Sequence, residues 1–369
     1  MNIDDCPRLA ALGWDAGWSA AFEAACSSLR HRDTDQPSPA RIIAEHRERY
    51  EVADADGDRS AVLSGRFRHE ATTREELPSV GDWVVISSGG DGAGVLRAVL
   101  PRRSAFVRKA AGDATAAQVV AANVDVALIA TALPADLNLR RLERYLALAW
   151  ESGATPVVLL TKSDLADDVG AAVASAAVAA PGVDVVAVSV VTGQGVDQLR
   201  HHLQPGRTAV LLGSSGVGKS TLVNALLGGE RQRTAAVGDD GRGRHTTTHR
   251  ELLVLGNGSL LIDTPGMREL QLWTADDGLG STFADVEALA THCRFRDCQH
   301  AGEPGCAVLD AVARGEVLAE RLDHWHRLRR ELAYLERKQD DRAAAEARAQ
   351  LRSLMRGVRT HIRNKYGGA

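Results

Sequence analysis

The sequence has no apolar run that approaches the length of a membrane-spanning helix. Its first residues, Met1 to Pro7, include Asp4 and Asp5 and lack the basic start and the apolar stretch of a secretory signal. Charge of one sign is also not in excess, because the net charge is only −4. The whole-molecule charge therefore gives no reason to expect a nucleic-acid partner. These absences predict a cytoplasmic protein that does not enter a membrane.

Cysteine is scarce, with five residues in 369, and the odd number argues against a disulfide framework. Three of the five lie close together in the sequence, and a histidine lies among them. Three thiolates and one imidazole predict a closed, structural Zn²⁺ site that holds one ion per chain. Its ligands are Cys293, Cys298, His300 and Cys306, and His292 is left outside the set. Ordinary buried cysteines are the alternative.

The length predicts two or three folded units, and changes in residue pattern suggest where they meet. We predict an N-terminal arm or linker over residues 1–39, a small β-barrel over 40–110, an α/β domain over 111–272, and a zinc-binding and α-helical domain over 273–369. Five short β-branched stretches separated by Asp/Gly turns favour an OB-type barrel, although an SH3-like barrel fits the same pattern. In the α/β domain, apolar strands alternate with helical stretches, which predicts a mostly parallel sheet with helices on both faces.

A phosphate-binding loop is the most specific motif. It follows the apolar strand Thr208–Leu212, opens a helix and fits G-x-x-x-x-G-K-[ST], which is the context that this motif requires. Glycines let backbone N–H groups approach the phosphates, Lys219 bridges the β- and γ-phosphates, and the Ser220 hydroxyl binds Mg²⁺. The predicted nucleotide contacts here are Gly213, Ser214, Ser215, Gly216, Val217, Gly218, Lys219, Ser220 and Thr221.

Two further strand ends carry residues that would read guanine. Thr161, Lys162, Ser163 and Asp164 follow one strand, and Ser189 and Val190 follow the next. The Asp164 carboxylate can accept from both the N1–H and the exocyclic amine of guanine, a donor pair that adenine lacks. The lysine stem would cover the base, and a backbone N–H of the Ser189–Val190 pair would reach guanine O6. Alone, Thr161–Asp164 is also an ordinary polar turn that caps a helix.

Asp263 and Gly266 lie in a third motif, Asp-Thr-Pro-Gly, after the strand Leu260–Ile262. Asp263 would hold Mg²⁺ and the Gly266 N–H would approach the γ-phosphate, although the same residues also make a good turn. The motifs come in a rotated order, because Thr161–Asp164 precedes the phosphate loop. A circular permutation keeps the sheet and crevice of a GTPase intact. The sequence therefore predicts a permuted domain that binds and hydrolyses GTP, with the γ-phosphate motif leading directly into the Cys/His domain.

With Gly243–Thr248 and the Cys293–Cys306 segment added, the chain resembles the RsgA/YjeQ family of bacterial small-ribosomal-subunit biogenesis GTPases over nearly its whole length. The resemblance implies an OB-fold that contacts ribosomal RNA, GTPase activity stimulated by the small (30S) subunit, and a role in late maturation of that subunit. GTP and GDP with Mg²⁺, the 30S subunit and its rRNA are the expected partners. We expect a monomer.

Two positions depart from common GTPase patterns. Thr161 stands where Asn is commoner, which predicts a looser tie to the phosphate loop. Met267 follows Gly266, so no side chain there can orient the attacking water. His245 is the candidate replacement, and a role in packing or RNA binding is the alternative. Thr247 is the predicted switch ligand of Mg²⁺, with Thr246 as the neighbouring alternative, so Lys219, His245 and Thr247 form the predicted catalytic set.

Three basic stretches fit an RNA partner, although each alone is typical of a solvated surface. They are Arg97–Lys109 at the end of the barrel, Arg242–Arg250 around His245, and Arg352–Lys365. Two rival functions stay open. One is a GTP-regulated scaffold that barely hydrolyses, and the other is a permuted GTPase that acts on the large subunit or in another pathway.

Overall fold

The computed structural model describes residues 6–29, 37–46, 49–89, 92–109, 117–228, 250–263 and 276–334. Within these ranges no helix combines the length and the apolar character needed to cross a membrane. The division into domains at residues 39, 110 and 272 stays a prediction.

The N-terminal segment forms two helices, α1 (Pro7–Ala11) and α2 (Ala16–Ser28). Asp15 caps α2 by accepting a hydrogen bond from the Trp18 N–H at 3.0 Å. Trp14 and Trp18 are buried, and their rings lie 4.7 and 6.2 Å from the ring of Trp83 on the barrel. Most of the described arm is therefore a helical layer packed on the barrel.

The barrel has five strands and one short helix: β1 (Ser38–Glu45), β2 (Tyr50–Ala53), β3 (Asp58–Leu63), α3 (Gly65–Glu70), β4 (Trp83–Ser88) and β5 (Gly94–Val99). The strand order is β1-β2-β3-β5-β4, and β4 returns to pair with β1. Only the β3–β5 pairing is parallel. This Greek-key closure, with a helix between β3 and β4, confirms the OB-type barrel.

A separate antiparallel pair, β6 (Ala105–Lys109) and β7 (Ala117–Ala122), follows the barrel. The α/β domain then contains β8 (Val126–Ala132), α4 (Leu139–Ser152), β9 (Thr155–Thr161), α5 (Val169–Ala179), β10 (Val185–Val188), α6 (Val196–His202), β11 (Thr208–Gly213), α7 (Lys219–Leu227), β12 (Arg250–Val254) and β13 (Leu260–Asp263).

The sheet order of the α/β domain is β10-β9-β8-β11-β13-β12, parallel except for β12. Alternate residues of β8 enter two different cores: Val126 and Leu128 pack on one face, and Ala127 and Ile129 pack on the other. Both faces are therefore covered, which explains why this strand is apolar without alternation and confirms the predicted layering.

The barrel and the α/β sheet join into one 11-stranded sheet through β1 and β12. Their ladder has two rungs, Ala44 with Glu251 and Glu45 with Arg250, and the Arg250–Glu45 ion pair measures 2.8 Å. The fully buried Arg41 reinforces the junction by donating to Leu12 O, Gly81 O, Asn123 O and Thr208 Oγ1. Burial lowers the pKa of Arg41 to about 10, so the guanidinium stays charged at neutral pH.

Within the described residues, four helices follow the sheet: α8 (Asp276–Thr282), α9 (Ala284–Ala290), α10 (Ala307–Ala313) and α11 (residues 319–334). Gly278 of α8 lies against α4 so closely that an added Cβ would come within 2.3 Å of Ala147 O. The three- and four-residue spacing of Leu318, Leu322, Trp325, Leu328 and Leu332 predicts an amphipathic helix in this segment. The prediction is largely confirmed, because Leu322, Trp325, Leu328 and Leu332 are buried. Leu318 is an exception: it precedes the helix and is exposed, so its assignment to the buried stripe was wrong.

A buried ionic cluster fixes α11 to α4. The Arg321 guanidinium donates to Glu143 Oε1 at 3.0 Å and to both oxygens of Asp285 at 2.7 and 2.8 Å. His324 bonds to the second oxygen of Glu143. Desolvation raises the pKa of Glu143 to about 7, and the charge of Arg321 opposes that rise.

We expect Arg321→Met to destabilise the protein, because removing one partner of a buried ion pair costs roughly 3–5 kcal/mol. The thermal unfolding midpoint should fall by about 5 °C or more. The matched control is Arg314→Met, whose partner Glu316 is exposed, and it should leave the midpoint unchanged. Equal midpoints for the two variants would show that the cluster does not hold α11 in place.

Candidate functional site

Parallel pairing brings the carboxyl ends of the strands to one edge of the sheet. Gly213 pairs in register with Ala130, and Thr161 pairs with both Ala132 and Val188. The motifs that follow β9, β10 and β11 therefore meet at this edge, where open α/β sheets bind their ligands. The rotated order of the motifs does not separate them in space.

The phosphate loop depends on glycine at three positions. Gly213, Gly216 and Gly218 have φ values of 138°, 78° and 96°, which side chains disfavour. At Gly213 an added Cβ would also lie 2.3 Å from Ala130 O. Gly218 begins the nine-residue helix α7 without a side-chain cap, so the first N–H groups of that helix are available to an anion.

Lys219 lies back over the loop that precedes it. Its ammonium donates to Gly213 O at 2.7 Å and to Ser214 O at 2.6 Å. The positive charge is therefore held within the loop, near the α7 N-terminus. A polyphosphate in this loop would meet both the ammonium and the backbone N–H groups.

The base motif is tied directly to the phosphate loop. The Thr161 hydroxyl donates to Val217 O at 2.6 Å, and the Lys162 ammonium donates to Gly216 O at 2.8 Å. Thr161 thus bonds directly to the phosphate loop, although the sequence predicted that threonine at this position would loosen that connection. Asp164 follows on the exposed surface of the turn, where its carboxylate is accessible to a base.

The structure separates the roles of Ser189 and Val190. Ser189 is fully buried, and its N–H donates to Gln194 O at 3.0 Å. That N–H is already used, so Val190 is the member of the pair whose N–H lacks an acceptor within the described chain. Gln194 gave no signal in the sequence, because it acts through its backbone carbonyl.

Asp263 ends β13, which runs parallel to β11. It therefore reaches the same edge as the phosphate loop, where Ser220 lies in the first turn of α7. Ser220 and Asp263 are the described residues that would hold Mg²⁺. The predictions for His245, Thr246, Thr247, Gly266 and Met267 fall outside the described residues.

The four predicted zinc ligands converge, with all ligand atoms within 4.8 Å of one another. His300 Nδ1 lies 3.3 Å from Cys306 Sγ and 3.7 Å from Cys293 Sγ, and the two sulfur atoms are 3.9 Å apart. A tetrahedral ion with Zn–S bonds near 2.3 Å places sulfur ligands about 3.8 Å from each other. The cluster therefore has the size and donor set that zinc requires. His292 is excluded, since its Nδ1 contacts Ala288 O and Thr291 Oγ1.

Glu303 braces the loop that carries His300. Its carboxylate accepts from the Gln299 N–H at 2.8 Å and from the Ala301 N–H at 2.7 Å. Backbone N–H groups, including that of Glu303 itself, lower the pKa of this carboxyl to about 2. The loop geometry is thus set by a carboxylate that remains ionised, independently of the ligands themselves.

The predicted basic surface of the barrel is smaller than the sequence indicated. Arg102 makes a bidentate pair with the buried Asp82, and Arg103 pairs with Asp15 and stacks on Trp18. These arginines hold the structure together. Within the described barrel, the exposed arginines without an ion-pair partner are Arg49, Arg68 and Arg74.

A P-loop, a guanine-reading motif and a magnesium-binding strand end, in this rotated order on one sheet, define a circularly permuted P-loop GTPase. Residues 99–273 match the family described as RsgA GTPase. The "Small ribosomal subunit biogenesis GTPase RsgA" of Opitutus terrae is 46% identical over 366 residues, which cover 96% of this chain and 98% of the relative. That of Streptomyces avermitilis is 46% identical over 91% of this chain and 89% of the relative.

Solved structures that resemble this one include YjeQ and YloQ. YjeQ from Thermotoga maritima superposes with a TM-score of 0.62 at 26% identity, covering 81% of this chain and 99% of that chain. YloQ, titled a circularly permuted GTPase, has a TM-score of 0.57 at 28% identity, covering 83% of this chain and 98% of that chain. The chain belongs to the RsgA GTPase family, and it is a GTP-hydrolysing enzyme.

We expect Thr161→Val to weaken nucleotide binding, because it leaves the Val217 carbonyl without its donor and frees the phosphate loop from the base motif. The loss should be about 5–30-fold in Kd, corresponding to roughly 1–2 kcal/mol. Titration with a fluorescent GDP analogue measures it. Thr155→Val, at the exposed other end of β9, is the matched control, and an equal Kd in both variants would contradict the role given to Thr161.

Proposed function

We propose that this protein hydrolyses GTP to GDP and phosphate in a late step of small-subunit maturation, in the cytoplasm and as a monomer. The small ribosomal subunit stimulates the reaction, and its rRNA contacts the barrel. The observation that carries this proposal is the joining of Thr161 and Lys162 to the phosphate loop, in a chain whose relatives are named for small-subunit biogenesis along almost their whole length.

Hydrolysis of this kind depends on positioning and on stabilising charge at the β- and γ-phosphate oxygens. Lys219 and the α7 N-terminus supply positive charge where the loop holds the phosphates. Ser220, Asp263 and, in our proposal, Thr247 would hold Mg²⁺, which would supply further positive charge beside the phosphates when bound. His245 is proposed to orient the attacking water, with packing or RNA binding as the alternative. Asp164 selects guanine.

Charge on the barrel supports the RNA contact, although fewer residues contribute to it than the sequence indicated. Arg49, Arg68 and Arg74 project from the described barrel without a carboxylate partner. Unpaired surface guanidinium groups are the groups that neutralise phosphates and release counterions. We therefore assign the rRNA contact to these arginines, and the paired Arg102 and Arg103 to structural roles.

Hydrolysis measured against purified ribosomal subunits tests the proposal. We expect 30S subunits to raise the rate of phosphate release, 50S subunits to leave it near the basal rate, and Lys219→Ala to abolish both rates. Arg49→Glu should raise the 30S concentration needed for half-maximal stimulation while the basal rate is unchanged. Arg200→Glu on α6 serves as its matched control.

Absence of stimulation by either subunit would favour the GTP-regulated scaffold, and stimulation by 50S subunits alone would favour the large-subunit pathway. Equal effects of Arg49→Glu and Arg200→Glu would remove the barrel from the RNA contact while leaving the GTPase assignment intact.

We also propose that the Cys/His cluster binds one structural zinc ion per chain. Metal analysis should find about one zinc per chain, and Cys298→Ser should lose that ion and lower the unfolding temperature, since binding energy at a structural site is folding energy. Cys26→Ser, on α2 and outside the cluster, should retain both. A purified protein without zinc, folded and active, would overturn the proposal.

A further inference from the structure

A groove of about 440 Å³ opens where α1, the first three barrel strands and β12 meet. We call it the β12 groove. Much of its lining is apolar and comes from all three parts of the fold: Leu12 of the α1 C-cap, Ile43 of β1, and Leu252 and Leu253 of β12. The nucleotide site uses none of these residues.

The groove exists because β1 and β12 stop pairing before the end of β12. Their ladder ends at the Ala44–Glu251 rung, while β12 continues to Val254 and stays paired with β13 on its other side. Beyond Glu251, the described chain supplies no strand along the barrel side of β12. Val254 is 54% exposed, so this side of β12 is a short open strand edge with an apolar surface beside it.

The charged residues of the groove are predominantly acidic. Glu51, Asp58 and Glu251 line it, and Arg8 is the one cation among the lining residues. Asp58 already pairs with that arginine. Glu51 and Asp58 are more than half exposed, and Glu51 contacts His46 Nε2 at 3.1 Å. Within the described chain Glu251 has no ion-pair partner. The groove therefore presents an excess of negative charge to a molecule that binds there.

Charge and shape together select one kind of partner. The carboxylates repel nucleic-acid phosphates and attract lysine or arginine. The open edge of β12 favours an extended backbone, which can add to the sheet while alternate side chains reach the apolar floor. We propose that the β12 groove binds an extended, basic peptide segment of a partner protein, distinct from the rRNA contact of the barrel.

The experiment uses the full-length protein and a fluorescein-labelled decapeptide of alternating valine and lysine, followed by fluorescence anisotropy at low salt. A valine–glutamate decapeptide and a ten-nucleotide single-stranded RNA are the comparison ligands. The groove variants are Glu51→Lys and Val254→Lys, both at exposed positions. Asp197→Lys on α6, where the carboxylate is 89% exposed, is the control for added positive charge.

We expect the valine–lysine peptide to bind, and each groove variant to weaken it about fivefold or more, since each adds like charge beside the peptide. Asp197→Lys should match the unchanged protein. A benzophenone placed in the peptide should cross-link to residues 8–12 or 250–254.

Four results would overturn the proposal. The first is equal peptide affinity in the groove variants and in Asp197→Lys. The second is cross-links that lie elsewhere. The third is preferential binding of the acidic peptide or of the RNA at this groove. A change of self-association in the groove variants, measured by sedimentation, would assign the groove to a second copy of the chain and equally overturn it. None of these measurements needs nucleotide, so the outcome is independent of the proposed GTPase cycle.

Discussion

The hydrogen bonds from Thr161 and Lys162 to the carbonyl oxygens of Val217 and Gly216 hold the nucleotide site together. They join the strand end that we propose reads the base to the loop that we propose binds phosphate, across more than fifty residues of chain. The glycines of the loop support these bonds, because Gly213, Gly216 and Gly218 adopt positive φ values that side chains disfavour. Without these hydrogen bonds, the base and the phosphates of one nucleotide would be held by two parts of the protein that are not connected to each other at the site.

The permutation changes what the site is attached to. In this chain the γ-phosphate end of the sheet, at Asp263, precedes the Cys/His domain, and the sequence predicted that nucleotide state could move that domain directly. In the described structure this domain also packs on α4, through the close approach of Gly278 and through the ionic cluster of Arg321. A displacement of the Cys/His domain would have to carry α4 with it or break a buried ionic cluster. Since α4 follows β8 in the nucleotide-binding sheet, motion of the domain and geometry of the site are mechanically linked.

The sequence predicted the local pieces and the fold class, but it missed several contacts between elements that are distant in sequence. Strand periodicity located all five barrel strands, and the spacing of Cys293, Cys298, His300 and Cys306 identified a cluster that the fold brings together. Local patterns succeeded there because the information lies within a few residues. Local patterns were less reliable at two positions. Leu318 lies just before the helix to which the pattern assigned it, and the Ser189 N–H, which the pattern offered to guanine, is already used within the protein. The burial of Arg41 and Arg321 had no local signal at all, since each is buried by elements far away in sequence.

The positions of the arginines in the folded protein explain why charge in the sequence was the poorest predictor of a binding surface. A run of basic residues predicts an RNA surface only if the side chains remain in solvent. Here Arg102 pairs with Asp82 inside the barrel, and Arg103 pairs with Asp15 of the N-terminal segment. The same folding leaves carboxylates exposed beside an apolar strand edge at the β12 groove. A chain with a net charge of −4 can thus offer phosphate-binding cations on one part of its surface and a peptide-binding acidic groove on another. Because exposed charges more than about 8 Å apart are largely screened in physiological salt, the charges nearest to each partner decide its binding and the near-neutral total decides neither.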